Sequence, residues 1–550
     1  MYFKRRQLTN YESQESDSDS DSDELPLILV AIENPGSEFP LSTEEVPGPF
    51  EDAGGDGGRP TVDEVQEFCG SWKATSHFTP PGPCFKLFLT EELVGEIVEE
   101  TNRYALELQE KREPGVRGKL AKWVTTTISE MYTFLVRVLL MGIVKKNSLR
   151  EYWSTDPMFA TPFFASLFSQ DRFLVLLRCL HFVNNATAIL SDPLYKIRNV
   201  LISLTSAFGR VFVPYKDLCI DESLMLWKGR LAFRQYIPSK RRRFGVKFFV
   251  MCDVKTGFVQ DIIVYTGSTT DIKHYEGLGV SGSVVMTMLA PHLGKGHTLY
   301  VDNWYSSPTL FQHLLSNSTG ACGTVRSNRK GMPAFGCGKM QRGEVEFQEN
   351  GQQLAVKWHD KRDVHVLSTV HTATMSATGK VDHLTGERKI KPDCVLDYNL
   401  KMGAVDKADM INSFVECTRK TNKWYKKIFF HLIDTAVLNG SIVHRKVITY
   451  QKYRENLMRE LLEEHHTPRR PSTGGRPAVD NPLRLTARHF PCKVPQTASQ
   501  GSRTRRHCKV CLSGARRSKQ RKMTKYMCLA CDTPLCISPC FEEYHMLKHY

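Results

Sequence analysis

The sequence predicts an α/β protein of several domains that ends in a small Cys/His metal module. Three observations predict it. Between about residues 84 and 210 apolar residues recur at three- and four-residue spacing, and near residue 211 this helical period gives way to short runs rich in β-branched and aromatic residues. Hydrophobic residues make up 41% of the 550, enough for true cores, and at roughly 150 residues per domain the length corresponds to three or four units. Six of the 16 cysteines fall between Cys508 and Cys540. No segment reads as a membrane span: the charge-free apolar run Leu25–Ile32 is short and Phe134–Val144 is broken by Arg137, whereas a span needs about 20 apolar residues. The opening MYFKRRQLTNYES has no apolar h-region, so the expectation is a soluble intracellular protein.

The elements follow in chain order. Residues 1–75 contain the run SDSDSDSDE and then Gly- and Pro-rich sequence, a composition that buries too little apolar area to offset ordering entropy, so this head reads as disordered. Its serines lie next to acids, and phosphorylation there would add negative charge. Leu87–Arg103 and Trp123–Val144 read as amphipathic helices, and Phe173–Phe182 as a shorter one. Val246–Cys252 and Val259–Tyr265 read as strands joined into a hairpin by the turn Lys255-Thr256-Gly257. A helix at Ser283–Leu289 precedes a strand, His297–Asp302, that ends in an acid. Leu354–Trp358 and Val364–Thr369 are further strands among Gly-rich turns, and Gly403–Phe414 and Trp424–Val447 are helical.

The formal net charge of +15, from 74 Lys+Arg against 59 Asp+Glu, hides an uneven distribution. Tyr11–Glu67 carries 17 acids and one base, a net of −16, so the remainder carries +31; Thr467–Lys525 carries 16 bases and one acid, a net of +15. A basic block of this density points to a polyanion, most often nucleic acid, against the plainer alternatives of a solvated linker or an import signal.

The C-terminal spacing is Cys508-x2-Cys511, Cys528-x2-Cys531, Cys536-x3-Cys540 and His545-x3-His549. Eight ligands in four pairs satisfy two tetrahedral Zn2+ ions. Chain order favours an interleaved cross-brace, with Cys508, Cys511, Cys536 and Cys540 on one ion and Cys528, Cys531, His545 and His549 on the other. Sequential sharing, and His507 in place of one ligand, are the alternatives. With every position filled, the zinc is structural. A module of about 44 residues folds on metal binding rather than on its own core.

Acids in separate segments offer a second metal site. Asp221 lies in the strand-like CIDESLMLWKGR, Asp302 ends the strand in TLYVDNWYSS, and Asp406 and Asp409 share one helix face at i, i+3. Carboxylates at strand ends and on a helix can hold Mg2+ (or Mn2+) for phosphodiester chemistry. From spacing alone this signal is weak, because Asp is common.

The segments CIDESLMLWKGRLAFRQYIPSKRRRFGVKFFVMCDVKTGF, LYVDNWYSSPTLF, DYNLKMGAVDKADMINSF and TRKTNKWYKKIFFHL, with the ending CFEEYHMLKHY, resemble the piggyBac transposase family over about Leu87–Tyr550. The resemblance implies an RNase H-like catalytic core whose metal-binding aspartates are Asp221, Asp302 and Asp406, with Asp409 as an additional acid. It implies a helical dimerisation and DNA-binding region split between 76–210 and 416–466. The core would be split between 211–328 and 394–415 by a β-rich insertion at 329–393, followed by a basic linker at 467–506 and the zinc module at 507–550. Arg241, Arg242, Arg243, Arg419, Lys420, Lys423 and Trp424 would face double-stranded DNA, the charges on phosphates and Trp424 on a base, unless Trp424 packs at its helix start. A homodimer holding two transposon ends, a TTAA target, a hairpin intermediate and a nuclear location are the further expectations. Ala404 and Met410 stand where the family has glycine and glutamine.

Three other readings fit parts of the sequence. Gly277-Leu-Gly279-Val-Ser-Gly282 matches a dinucleotide-binding fingerprint, but about ten residues separate it from the preceding strand, and a hairpin precedes it. A RING-like ligase does not fit the Cys/His order and leaves the body unexplained. A domesticated DNA-binding or chromatin protein would share the fold without needing cleavage.

Overall fold

Side-chain caps and strand alternation generate most of the architecture seen in a computed structural model of the chain. The structure describes residues 50–52, 80–111, 118–187, 189, 191–238, 243–336, 338–381, 386, 388–416, 421, 423–444, 448–466, 489–496, 504–513 and 520–547. The acidic head, apart from residues 50–52, and much of the basic linker therefore lie outside the described residues. The chain forms two units, Met1–Thr467 and Pro468–Tyr550.

In the first unit a short strand β1 (Glu51–Asp52) precedes helices α1 (Pro81–Lys86), α2 (Glu91–Glu110), α3 (Ile128–Ile143), α4 (Pro162–Leu167), α5 (Gln170–Cys179) and α6 (Arg198–Val211). Thr90, Thr127 and Ser169 cap α2, α3 and α5 by accepting from backbone N–H groups three residues on. Strands β2 (Asp217–Leu226), β3 (Gln235–Tyr236), β4 (Phe244–Asp253) and β5 (Val259–Val264) follow, then α7 (Gly279–Leu289), β6 (Thr298–Val301), α8 (Pro308–Ser316) and β7 (Gly320–Thr324). Next come β8 (Val345–Glu349), β9 (Leu354–His359), β10 (Asp363–Ser368), β11 (Met375–Val381) and β12 (Arg388–Pro392). Helices α9 (Asp393–Lys401), α10 (Ala404–Val415), α11 (Trp424–Val443) and α12 (Tyr450–His465) complete the unit.

Ten strands form one sheet in the order β1-β8-β9-β10-β7-β6-β2-β4-β3, with β5 also paired to β4. β2, β6 and β7 run parallel, while β2–β4 and β4–β5 are antiparallel. The β-rich stretch at 329–393 contributes β8, β9 and β10 to this same sheet, and only β11 and β12 pair apart from it. Strand alternation divides the core. Cys219, Phe248, Val250 and Cys252 point to one face, where they join a cluster built from α1–α6 and α10–α12; Leu218, Ile220, Phe249 and Met251 point to the other, against α7 and α8. The mixed α/β core with a helical flank expected from the sequence is what the chain forms.

One buried ion pair ties the flank to α10. Arg454 on α12 contacts Asp434 on α11 at 3.2 Å, with the two side chains 1% and 2% exposed. Its Nη2 also donates to the carbonyls of Leu139, on α3, and Val415, the last residue of α10. Arg454→Met removes the charge that offsets buried Asp434, so we expect a loss of about 3–5 kcal/mol in urea unfolding, and recovery of much of it when Asp434→Leu is added. Equal unfolding midpoints for Arg454→Met and the parent would contradict this.

Candidate active site and metal centres

Register brings the first two acids together. β2 and β6 pair in parallel with Ile220 opposite Val301, so Asp221 and Asp302 are the next residues along neighbouring strands. Alternation puts both on the face of Cys219 and Tyr300, the face that α9 and α10 cover. There Cys219 Sγ donates to the Met402 carbonyl at 3.0 Å, and Ser223 Oγ donates to Asp409 Oδ1 at 2.8 Å. Asp406 lies in the first turn of α10 and is exposed, while Asp221, Asp302 and Asp409 are half-buried. The four acids thus come from three chain segments to one end of the sheet.

Their electrostatics reflect the crowding. Burial, with the charges of Asp302, Glu222 and Asp406, pushes Asp221 up to about 7, against the pull of the Glu222 N–H on its Oδ1. Burial and Glu222 raise Asp302 as well, opposed by the Trp304 N–H at 2.9 Å and by the Lys247 ammonium. Among the described residues, only Cys/His groups bring three or more ligand atoms within 4.8 Å of one another, so the carboxylates stand apart. Hard oxygen donors, mutual repulsion and partial burial are the properties of a divalent-cation site.

Sequence reading missed the neighbours of these acids. Glu222 pairs with Lys247 at 2.7 Å, and the Lys247 ammonium lies 4.7 Å from the ring centroids of both Phe249 and Trp304. Trp304 stacks on Phe249 at 5.5 Å. Cross-strand register creates this cluster, because Glu222 faces Phe249 across β2 and β4, and no linear spacing reports it. Of the basic residues expected at DNA, Arg243 is exposed and Lys423 half-buried, while Arg241, Arg242, Arg419 and Lys420 lie outside the described residues. Half-buried Trp424 opens α11 edge-on to Phe233, at 5.4 Å. Next to it, Lys426 is buried and donates to the Leu177 and Arg178 carbonyls at the end of α5.

The second unit contains β13 (Pro491–Lys493), β14 (Arg506–His507), α13 (Lys509–Ser513), β15 (Met523–Thr524), β16 (Tyr526–Cys528), β17 (Thr533–Pro534) and α14 (Cys540–Met546). Cys508, Cys511, Cys536 and Cys540 converge in one group; His489, Cys528, Cys531 and His545 converge in another. The first is the interleaved set drawn from the spacing. In the second His489 stands as fourth member, and His549 lies outside the described residues. His507 is exposed and belongs to neither group. His489 arrives because β13 pairs with β16, with Pro491 opposite Cys528, which extends the folded module upstream of residue 507. The signal was invisible in the sequence because a sheet register, and not a ligand spacing, makes the contact.

Both groups fit zinc. Sulfurs on a tetrahedral ion at about 2.3 Å lie about 3.8 Å apart, and Cys511 and Cys540 approach to 3.5 Å. Burial and the neighbouring Cys508 and Cys511 sulfurs push Cys536 up to about 11, so four thiolates held this closely need a cation. His545 Nδ1 lies 2.7 Å from the Phe541 carbonyl, which only accepts; Nδ1 therefore carries the proton and Nε2, 3.5 Å from Cys531 Sγ, is the ligand atom.

A family model described as Transposase IS4 matches residues 80–441, and one described as DDE_Tnp_1-like zinc finger matches residues 492–546. The two matches define a transposase-class core followed by a zinc finger. Human PiggyBac transposable element-derived protein 3 is 26% identical over 84% of this chain and 76% of its own length. Human PiggyBac transposable element-derived protein 5 is 23% identical over 69% of this chain and 74% of its own length. A solved piggyBac transposase, in a synaptic complex with hairpin DNA, superposes with a TM-score of 0.64 at 24% identity, covering 86% of this chain and 100% of its own, a likeness of fold. The chain belongs to the piggyBac transposase family.

A carboxylate raised above its unfolded value binds more protons folded than unfolded, so the stability it contributes is present below about pH 4, is lost as pH rises to about 7, and falls no further above that. In Mg2+-free buffer the parent should lose Tm between about pH 5 and about pH 7 relative to Asp221→Asn, whose amide does not titrate; parallel profiles across that range would contradict this. His489→Ala should lower bound zinc from about two ions per chain to about one, read by elemental analysis of the full chain. Retention of both ions would assign the fourth position to another residue.

Proposed function

We propose that this protein is a cut-and-paste DNA transposase. The observation that carries the proposal is the placement of Asp221 and Asp302 at adjacent register positions of parallel strands, with α10 bringing Asp406 to the same face. Asp221, Asp302 and Asp406 would hold Mg2+ (or Mn2+), with Asp409, fixed by the Ser223 hydroxyl, as an additional acid. The chemistry supplied by the ion when bound is activation of the attacking oxygen and stabilisation of the leaving oxygen of a phosphodiester. The Trp304 N–H holds Oδ1 of Asp302 and leaves Oδ2 as donor. Water attacks a phosphodiester at the element end and frees a 3′-OH, which attacks the opposite strand, closing a hairpin and releasing the flanking DNA; a second water opens the hairpin and regenerates the 3′-OH, which then attacks a target phosphodiester and displaces its 3′ oxygen.

The family resemblance supplies the hairpin intermediate and the TTAA target. Arg241, Arg242, Arg243, Arg419, Lys420, Lys423 and Trp424 are proposed to contact double-stranded DNA, and the module with its two Zn2+ to read terminal sequence. The proposal includes a homodimer, which would hold the two transposon ends, and a nuclear location, where such a DNA substrate lies.

A second reading has its own support. Ala404 and Met410 depart from the family pattern beside Asp406 and Asp409, and the human relatives are named as derived from transposable elements. On that reading the protein binds DNA or chromatin and its cleavage is dispensable. Incubating terminal DNA of the element with the protein and Mg2+ separates the two. The enzyme reading expects nicking and hairpins from the parent and a loss of at least about 100-fold in Asp302→Asn. DNA binding without cleavage by the parent would favour the second reading.

A further inference from the structure

Outside the candidate active site the described residues contain one polar cluster that touches every segment carrying a proposed metal ligand. It centres on Lys401, the last residue of α9. Its ammonium lies 2.9 Å from Asp217 Oδ2 and 3.0 Å from Asp397 Oδ1, and it donates to the Tyr300 hydroxyl at 2.9 Å. Tyr300 is 1% exposed and in turn donates to Asp397 Oδ2 at 2.5 Å. His371 Nε2 reaches the same Asp397 oxygen at 3.2 Å, and its Nδ1 meets Ser368 Oγ, at the end of β10, at 2.8 Å.

The positions of these partners give the cluster its meaning. Asp217 opens β2, four residues before Asp221 on the same strand. Tyr300 lies on β6, two residues before Asp302 and on the same face. Lys401 stands five residues before Asp406, separated from α10 by Met402 and Gly403 alone. With so short a connection, the place where α9 ends dictates where α10 begins. The Met402 carbonyl is held as well, by Cys219 Sγ on β2.

We infer that Lys401 is a positioning residue for the carboxylate site, fixing β2, β6 and the α9–α10 turn relative to one another so that Asp221, Asp302 and Asp406 meet one cation. The inference rests on the transposase reading of those acids. Lys401 touches none of them. A rigid three-way anchor sets their separation, as groups behind metal ligands commonly do when they tune affinity. A role confined to stability would lower Tm and leave the affinity of the folded protein unchanged.

The test measures Mn2+ binding to the zinc-loaded full chain by electron paramagnetic resonance, with Tm and zinc content followed in parallel. Lys401→Met should weaken Mn2+ binding about tenfold while two Zn2+ stay bound, and Lys401→Arg, which keeps the charge, should restore most of it. Should Lys401→Met fail to fold, Tyr300→Phe decides, with an expected loss of about threefold from one missing hydrogen bond. Parental Mn2+ affinity in a folded Lys401→Met or Tyr300→Phe protein, with Asp302→Asn clearly weakened, would overturn the inference and leave the transposase reading intact. Equal affinity in the parent and Asp302→Asn would overturn both.

Discussion

Repulsion among carboxylates held in partly dry surroundings is the constraint around which the first unit is organised. Burial and like charge both disfavour ionisation of Asp221 and Asp302, and the charge of the exposed Asp406 adds to that on Asp221. They stay together because each is fixed by structure that does not titrate. Parallel backbone pairing fixes two of them, and a helix packed on the sheet fixes the third. On the proposed function, a divalent cation bound there would relieve that repulsion.

The helical flank supports the same arrangement from outside. α10 is held at its start by the Met402 contact with β2, along its length by Ser223, and at its end by Arg454. Helices from both ends of the unit, α1–α6 and α11–α12, share one hydrophobic cluster with the sheet face beneath α10. Chain segments more than 200 residues apart therefore pack as a single layer against that face of the sheet. The zinc module solves a different problem, because a domain of its size lacks apolar area and depends on metal–sulfur bonds for its fold.

Much of this was legible in the sequence, for reasons that differ by element. The hairpin β4–β5 announced itself through β-branched and aromatic runs around a Gly257 turn, and Gly257 does adopt a φ of 76°. Its antiparallel pairing also removes the strand–helix–strand context that the Gly277 motif would need for a dinucleotide. The aspartates were legible only through family motifs, since an isolated Asp carries little information. What stayed hidden was set by register between distant strands. The Glu222–Lys247 pair, the Lys401 anchor and the arrival of His489 at Cys528 all depend on which residues lie opposite one another. No periodicity within one segment encodes that. Lys426, two residues beyond the run expected at DNA, shows the same dependence on tertiary contacts, donating to the Leu177 and Arg178 carbonyls at the end of α5.

Under the proposed function, acids from three segments form one divalent-cation site. Anomalous scattering from crystals of the full chain soaked in Mn2+ tests it most directly. The account predicts manganese peaks roughly 2 Å from carboxylate oxygens of Asp221, Asp302 and Asp406 together. Manganese absent from these acids in an otherwise ordered site, or bound to one of them alone, would contradict it.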